Sequence, residues 1–223
     1  MTDTQNDGRI AKLKNVRGFY TQGMVEAKPT VEGGDPKFNC IFVLETDKPE
    51  FDSNKKAIVA ALNAASEKQW KKPDVWKTIV EDDPKRCAYR KGERFKNKEG
   101  QVYNGFAGHM ALSVAGPSGG KRRPVILDRR KKKVTEPSQI EEVVYGGTYC
   151  DIIVSFYGTD KGGKGVFASV EVIRSREEGD RIGGGYQYRE DDADFFDDLG
   201  DDDDFGDADI TKSSKSDDDD MFA

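Results

Sequence analysis

The chain carries one histidine, His109, and three cysteines, Cys40, Cys87 and Cys150, none close to another in sequence. Zinc sites need paired ligands a few residues apart, so no metal is expected, and no other cofactor is implied. His109 has no nearby Ser or Cys partner, and no pair of carboxylates falls on a strand-like segment. Acid–base and nucleophilic catalysis therefore have no candidates, and an enzyme is not expected. The segment from Gly158 to Gly165, GTDKGGKG, nearly spells a nucleotide-binding phosphate loop. It lacks the Ser or Thr after the lysine that would hold Mg²⁺, and a strand-like run follows it instead of a helix. A flexible basic hairpin turn is the better reading. Aspartate runs such as Asp201 to Asp204 lack turn-forming glycines at fixed offsets and read as solvated acid.

The cations say more. They gather in KRCAYRKGERFKNK (Lys85 to Lys98), in Lys121-Arg122-Arg123, in RRKKK (Arg129 to Lys133) and at Lys161 and Lys164. One such run is usually a solvated face. Four runs at predicted loops, interleaved with Tyr89, Phe95, Tyr103, Phe106, Tyr149, Tyr157 and Phe167, fit a single-strand binder. Cations there track phosphates while flat rings stack on unpaired bases. The phosphate candidates are Arg86, Arg90, Arg94, Arg122, Arg123, Arg129, Lys161 and Lys164, and the stacking candidates are Tyr89, Phe95, Phe106, Tyr149, Tyr157 and Phe167. Strand alternation sets Tyr149, Tyr157 and Phe167 opposite the apolar sets Cys150/Ile152/Val154 and Val166/Val170/Val172. The competing reading packs this second face under a helix, as Ile153 and Ile173 hint.

Several elements must position these residues. Arg9 to Val25 reads as a long first strand bent at Gly18 and Gly23. Phe38 to Thr46 is a buried strand. A helix over about 53–70 follows, capped by Asp52 or Ser53, with Ile58, Ala61, Leu62 and Ala65 at the spacing of one apolar face. Trp76, Ile79 and Val80 suggest a further helical turn, and Arg86 to Tyr103 a polar loop. Strands are expected at Phe106 to Ala115, at Pro124 to Leu127 on a sheet edge, at Thr148 to Tyr157 and at Val166 to Arg174. Five or six strands with one substantial helix predict a mainly β, small antiparallel barrel rather than a parallel α/β sheet.

The 223 residues predict one domain with something added. That addition is electrostatic. The last 34 residues hold 16 acids and 2 lysines, leaving 34 basic and 26 acidic residues in 1–189, a net of +8. The overall charge of −6 hides a cationic body and an anionic tail. The expected division is a polar, disordered N-terminus at 1–8, a domain at 9–182, a glycine hinge at 183–189 and a disordered acidic tail at 190–223. The tail tip, Asp217, Asp218, Asp219, Asp220, Met221 and Phe222, suits docking of an aromatic into a cation-ringed pocket on a partner. Tethered to its own body, the tail should also compete with nucleic acid at millimolar effective concentration. No run approaches the roughly 18 apolar residues of a membrane span, so no membrane partner is expected. The widely spaced, odd-numbered cysteines fit reduced thiols in a cytoplasm-like compartment.

The chain resembles the OB-fold single-stranded-DNA-binding proteins of bacteriophages over roughly residues 37–185. The resemblance rests on Lys37-Phe38, the Ala-rich stretch 57–65, Ala107-Gly108-His109, Pro124 to Arg129, Pro137-Ser138 leading to Val144-Tyr145-Gly146-Gly147-Thr148-Tyr149, Ser155-Phe156-Tyr157 and Gly163 to Val166. It implies a non-catalytic protein that coats and protects single strands in phage DNA replication and recombination, in the host cytoplasm. It further implies a tail that recruits replication proteins such as a DNA polymerase, helicase or nuclease. Whether duplex DNA becomes a further ligand once the tail is removed, and whether the protein is a homodimer, the sequence leaves open. One departure is Ala223 after Phe222, since related tails commonly end on Phe. The rival functions are a duplex-binding or strand-annealing protein, and an acidic DNA mimic that chaperones a basic protein.

Overall fold

The computed structural model describes residues 8–29 and 34–182. The chain divides into a unit ending at Gly184 and another from Gly185, and every described residue lies in the first. The expected hinge, the acidic tail and its Asp217–Phe222 tip, and the N-terminus up to Asp7 fall outside the described residues.

Five strands form the barrel: β1 (Ile10–Phe19), β2 (Asn39–Leu44), β3 (Met110–Ala115), β4 (Tyr149–Thr159) and β5 (Gly165–Glu177). β1 pairs antiparallel with β2 and β4, β2 with β3, and β4 with β5. The ring closes through a parallel contact of β5 with β3 at Ser169 and Ala115, so it is not antiparallel throughout. The resulting order, β1-β2-β3-β5-β4-β1, is the OB-fold arrangement. Alternating residues fill the interior: Ala11, Leu13 and Val16; Cys40, Phe42 and Leu44; Leu112 and Val114; Cys150, Ile152, Val154 and Phe156; Val166, Ala168 and Val170. All three cysteines are free and buried.

Bulges override the simple alternation in β1 and β5. In β1 the register shifts between Leu13 and Val16, where Asn15 takes φ 54°. The bend therefore sits at Asn15, not at the glycines, and Asn tolerates that left-handed conformation better than most residues. In β5 a shift between Val170 and Val172 turns Ile173 fully inward and leaves Val172 half-buried, the reverse of the expected faces. The first strand also stops at Phe19; Gln22–Val25 is a short helix, α1.

The long helix α2 spans Phe51–Trp70 and buries Ile58, Ala61, Leu62 and Ala65 against the barrel, as their spacing requires. Neither expected cap acts: the helix starts from Glu50, and Ser53 Oγ donates instead to the Glu50 carbonyl (2.8 Å). Buried Asn54 fastens α2 to β1, accepting from Lys14 N (3.0 Å) and donating to Lys14 O (2.7 Å). Helix α3 (Val75–Asp82) follows, with Trp76 Nε1 donating to Asn63 Oδ1 of α2 (2.7 Å).

The segment expected to be a polar loop after Arg86 is partly core. Tyr89–Lys91 forms a strand beside β3, and Cys87, Ala88, Tyr89 and Phe95 are buried. Residues 106–109 are turn, so β3 begins only at Met110. Val125–Leu127 lies between β5 and a two-residue strand, Lys133–Val134, and the latter is the sheet edge. A short helix, α4 (Pro137–Val143), precedes β4. Among the described residues no helix is long and apolar enough to cross a membrane, and no group of His, Cys, Asp or Glu could hold a metal ion.

Candidate nucleic-acid interface

The outer face of β1–β2–β3 carries a second apolar cluster. Register aligns Phe19 with Ile41 and Ile41 with Ser113, and, in the next row, Arg17 with Val43 and Val43 with Ala111. Phe95 and Phe106 fold back over these rows and are buried with Phe19, Val43 and Ala111. Phe106 stands 4.7 Å from Phe19 and 5.1 Å from Phe95, ring centre to ring centre. Phe95 and Phe106 therefore pack as core, as does Tyr89, and none of the three offers a ring face to a base.

Where this cluster ends, a groove of about 790 Å³ opens. Its walls include Tyr20, Thr21, Lys28 and Pro29 from the β1–β2 connection, Tyr103 and Asn104, and Tyr145 with Gly146, Arg181 and Ile182. Tyr20 is 50 % exposed and Tyr103 36 %, and their rings meet edge to face at 5.6 Å. Partial burial, with Tyr103 alongside, pushes the Tyr20 hydroxyl up to about 12. Tyr20 takes φ 55°, a left-handed conformation uncommon for a bulky residue. The Arg181 guanidinium lies over Tyr145 at 4.1 Å, and Tyr145 OH donates to the Gly179 carbonyl (3.1 Å). The groove thus joins three tyrosines to the cations Lys28 and Arg181.

A second cluster stands at the opposite end of β4, on the hairpin into β5. Tyr157 and Phe167 are cross-strand partners, 6.1 Å apart, with Tyr157 37 % exposed. The exposed Lys161 and Lys164 cap the turn. The glycines that imitated a phosphate loop serve packing: a Cβ on Gly158 would come within 2.8 Å of Gln69 Cβ, and one on Gly165 within 2.7 Å of the Phe167 ring.

The remaining candidates divide by what their head groups touch. Arg86 donates to the carbonyls of Lys164 (2.7 Å), Lys161 (3.0 Å) and Gly163, and lies over Phe167. Arg90 donates to the carbonyls of Pro84 and Cys87 (both 3.1 Å) and stacks on Phe95 at 4.2 Å. Arg123 holds the carbonyls of Met24 (3.0 Å) and Val25 (2.5 Å) at the end of α1 and covers Phe38. These three guanidiniums donate to backbone carbonyls from other parts of the chain. Arg129 pairs with Glu178 (2.5 Å), and Arg122 bonds Ser118 Oγ (3.0 Å) while staying exposed, as Arg94 does. Tyr149 is half-buried: its hydroxyl donates to Glu45 (2.8 Å), and Lys48 and Arg17 lie over its ring at 4.6 and 5.5 Å. His109 has a structural tie, its Nδ1 accepting from Thr46 N–H (3.2 Å).

A sequence model for the Enterobacter phage Enc34 ssDNA-binding protein family matches residues 10–206. The chain belongs to that family. Its members are single-stranded-DNA-binding proteins, so the role is binding and not catalysis. Protein p50 of Acyrthosiphon pisum secondary endosymbiont phage 1 is 29 % identical over 176 residues, covering 78 % of this chain and 86 % of p50. Among solved structures, the bacteriophage Enc34 single-stranded DNA-binding protein in complex with ssDNA superposes with a TM-score of 0.63 at 18 % identity, over 78 % of this chain and 90 % of that one. The same Enc34 protein in a second structure gives 0.60 at 19 % identity, covering 85 % and 90 %. At such identities the likeness establishes the shared barrel fold.

Sequence reasoning passed over Tyr20 and Tyr145 and did not select Tyr103. A signal was available. Each sits beside turn residues, in GFYTQG, YNG and YGG, where a core ring is least expected.

Proposed function

We propose that this protein binds single-stranded DNA without catalysis and largely without sequence preference, coating and protecting it during phage DNA replication and recombination. The observation that carries the reading is the groove in which Tyr20, Tyr103 and Tyr145 stand beside Lys28 and Arg181. Every base has a flat face, so stacking on tyrosines tolerates any sequence, while cations take the phosphates. In OB barrels the β1–β2 and β4–β5 loops commonly flank the oligonucleotide path, and here they carry the groove wall and the Lys161/Lys164 hairpin. Tyr157 and Phe167 extend the stacking surface, and the exposed Arg94 and Arg122 add phosphate contacts. The acidic tail competes with DNA for the cationic body and recruits replication proteins through its Met221-Phe222 tip. Duplex DNA binds when the tail is removed, and the protein works in the host cytoplasm.

The test is a fluorescence titration of full-length protein and of a chain lacking 190–223, with single- and double-stranded oligonucleotides at two salt concentrations. The expected result is preference for single strands, affinity falling steeply with salt, and tighter binding without the tail. A body that binds no nucleic acid after tail removal would leave the DNA-mimic reading in its place.

A further inference from the structure

We propose that Arg86 and Asp160 are positioning residues that lock the β4–β5 hairpin in the one shape that presents Lys161 and Lys164 together. The inference rests on reading that hairpin as part of the DNA surface.

The turn needs such locking. Gly162 and Gly163 take φ 71° and 105°, and a glycine-rich turn of this kind samples many conformations unless something holds it. Two ties hold it. Arg86, anchored just before the buried Cys87, bonds the carbonyls of Lys161, Gly163 and Lys164 at once. Asp160 accepts from Trp70 Nε1 (2.8 Å) and Gln69 Nε2 (2.9 Å) at the C-terminal end of α2. Those two hydrogen bonds also hold its carboxyl below the usual aspartate range. Both ties run to elements packed on the barrel, so the ammonium-bearing turn is ordered before DNA arrives. Less ordering is then left to oppose binding.

Electrostatics alone predicts the opposite of this role for Asp160. An anion next to the proposed phosphate-binding lysines repels DNA, so its neutralisation should tighten binding. As a tie, its loss should weaken binding. Arg86 offers a similar contrast: Arg86→Lys keeps the charge but cannot fork to three carbonyls. A point-charge attraction to phosphate would survive that change, and a tie would not.

The experiment measures poly-dT affinity across a salt series for Asp160→Asn, Trp70→Phe, Arg86→Lys and Lys161→Ala/Lys164→Ala, with thermal melts confirming that each variant folds. The double lysine variant should lower the salt slope by about 1.4, at about 0.7 per lost phosphate contact on a single strand. The three tie variants should each weaken binding several-fold and lower the slope in the same direction. Built onto the double lysine variant they should add nothing, because they act through those lysines. Tighter binding by Asp160→Asn, wild-type behaviour of Arg86→Lys, or full additivity overturns the proposal. Trp70→Phe keeps the ring and removes one donor, so it remains informative if Asp160→Asn does not fold. If the double lysine variant leaves the slope unchanged, the hairpin does not touch DNA and the proposal falls, while the groove is judged separately by Tyr20 and Tyr103.

Discussion

Phe19 and Tyr20 are consecutive residues whose rings serve opposite ends. Phe19 is buried against Phe106, while Tyr20 stands half-exposed against Tyr103. One pair of segments, the end of β1 and residues 103–106, therefore supplies both the floor that closes the outer face and the rings that stay open to a ligand. The left-handed turn at Tyr20 makes the division, swinging its ring out of the alternation that buries Phe19.

Replacing Tyr20 and Tyr103 with Ala should weaken binding to poly-dT by about 1–3 kcal/mol for each base that loses its platform. Thermal stability should change far less. Phe106→Ala should behave inversely, costing about 3–5 kcal/mol of folding stability because it empties a fully buried site. Titration and denaturant unfolding of both variants separate the roles.

Asn54 is the polar clasp between α2 and the bulge in β1. Asn54→Ala strips partners from both the N–H and the carbonyl of Lys14, and should cost about 2–4 kcal/mol. A urea midpoint within error of the unmodified protein would refute the clasp.

Alkaline pH should destabilise the fold in a defined window. Burial raises the Tyr20 hydroxyl to about 12, and burial with the Glu45 contact raises Tyr149 to about 12. An unfolded tyrosine titrates near 10. A folded pKa above the unfolded one contributes stability that is complete below pH 10 and is lost as pH climbs through 12. Unfolding midpoints measured between pH 9 and 12 should fall, less steeply in Tyr20→Phe.

The thiols should be inert in the native protein. Cys40, Cys87 and Cys150 are buried, and burial pushes all three above the ordinary thiol value, Cys87 to about 11. Iodoacetamide at pH 8 should label none of them until urea is added, when mass spectrometry should find three adducts.

Much of the fold is local and was therefore legible. The face of α2 follows from Ile58, Ala61, Leu62 and Ala65, and the interior of β4 from Cys150, Ile152, Val154 and Phe156, because periodicity alone sorts such residues. The site was less legible. Composition identified cations mixed with rings, but not which of them remain available. Arg86, Arg90 and Arg123 have the same local character as Arg94 and Arg122, yet they meet backbone carbonyls brought in from other parts of the chain. Phe95 and Phe106 looked like surface rings because their neighbours are polar, whereas the loop that bears them folds across β2 and β3.

The order of residues by itself determined the barrel's apolar interior and the division of charge between a cationic body and an anionic C-terminal stretch. Tertiary structure decided which rings face solvent and which guanidiniums are consumed internally. The physical reason is range. Amphipathic spacing and charge density are properties of neighbours in the chain, whereas exposure and hydrogen-bond saturation depend on groups far away in it, such as Arg123 and the carbonyl of Met24, 99 residues apart. A single bulge in β5 shows how little is needed, since one shifted residue carries Ile173 from one face of the sheet to the other.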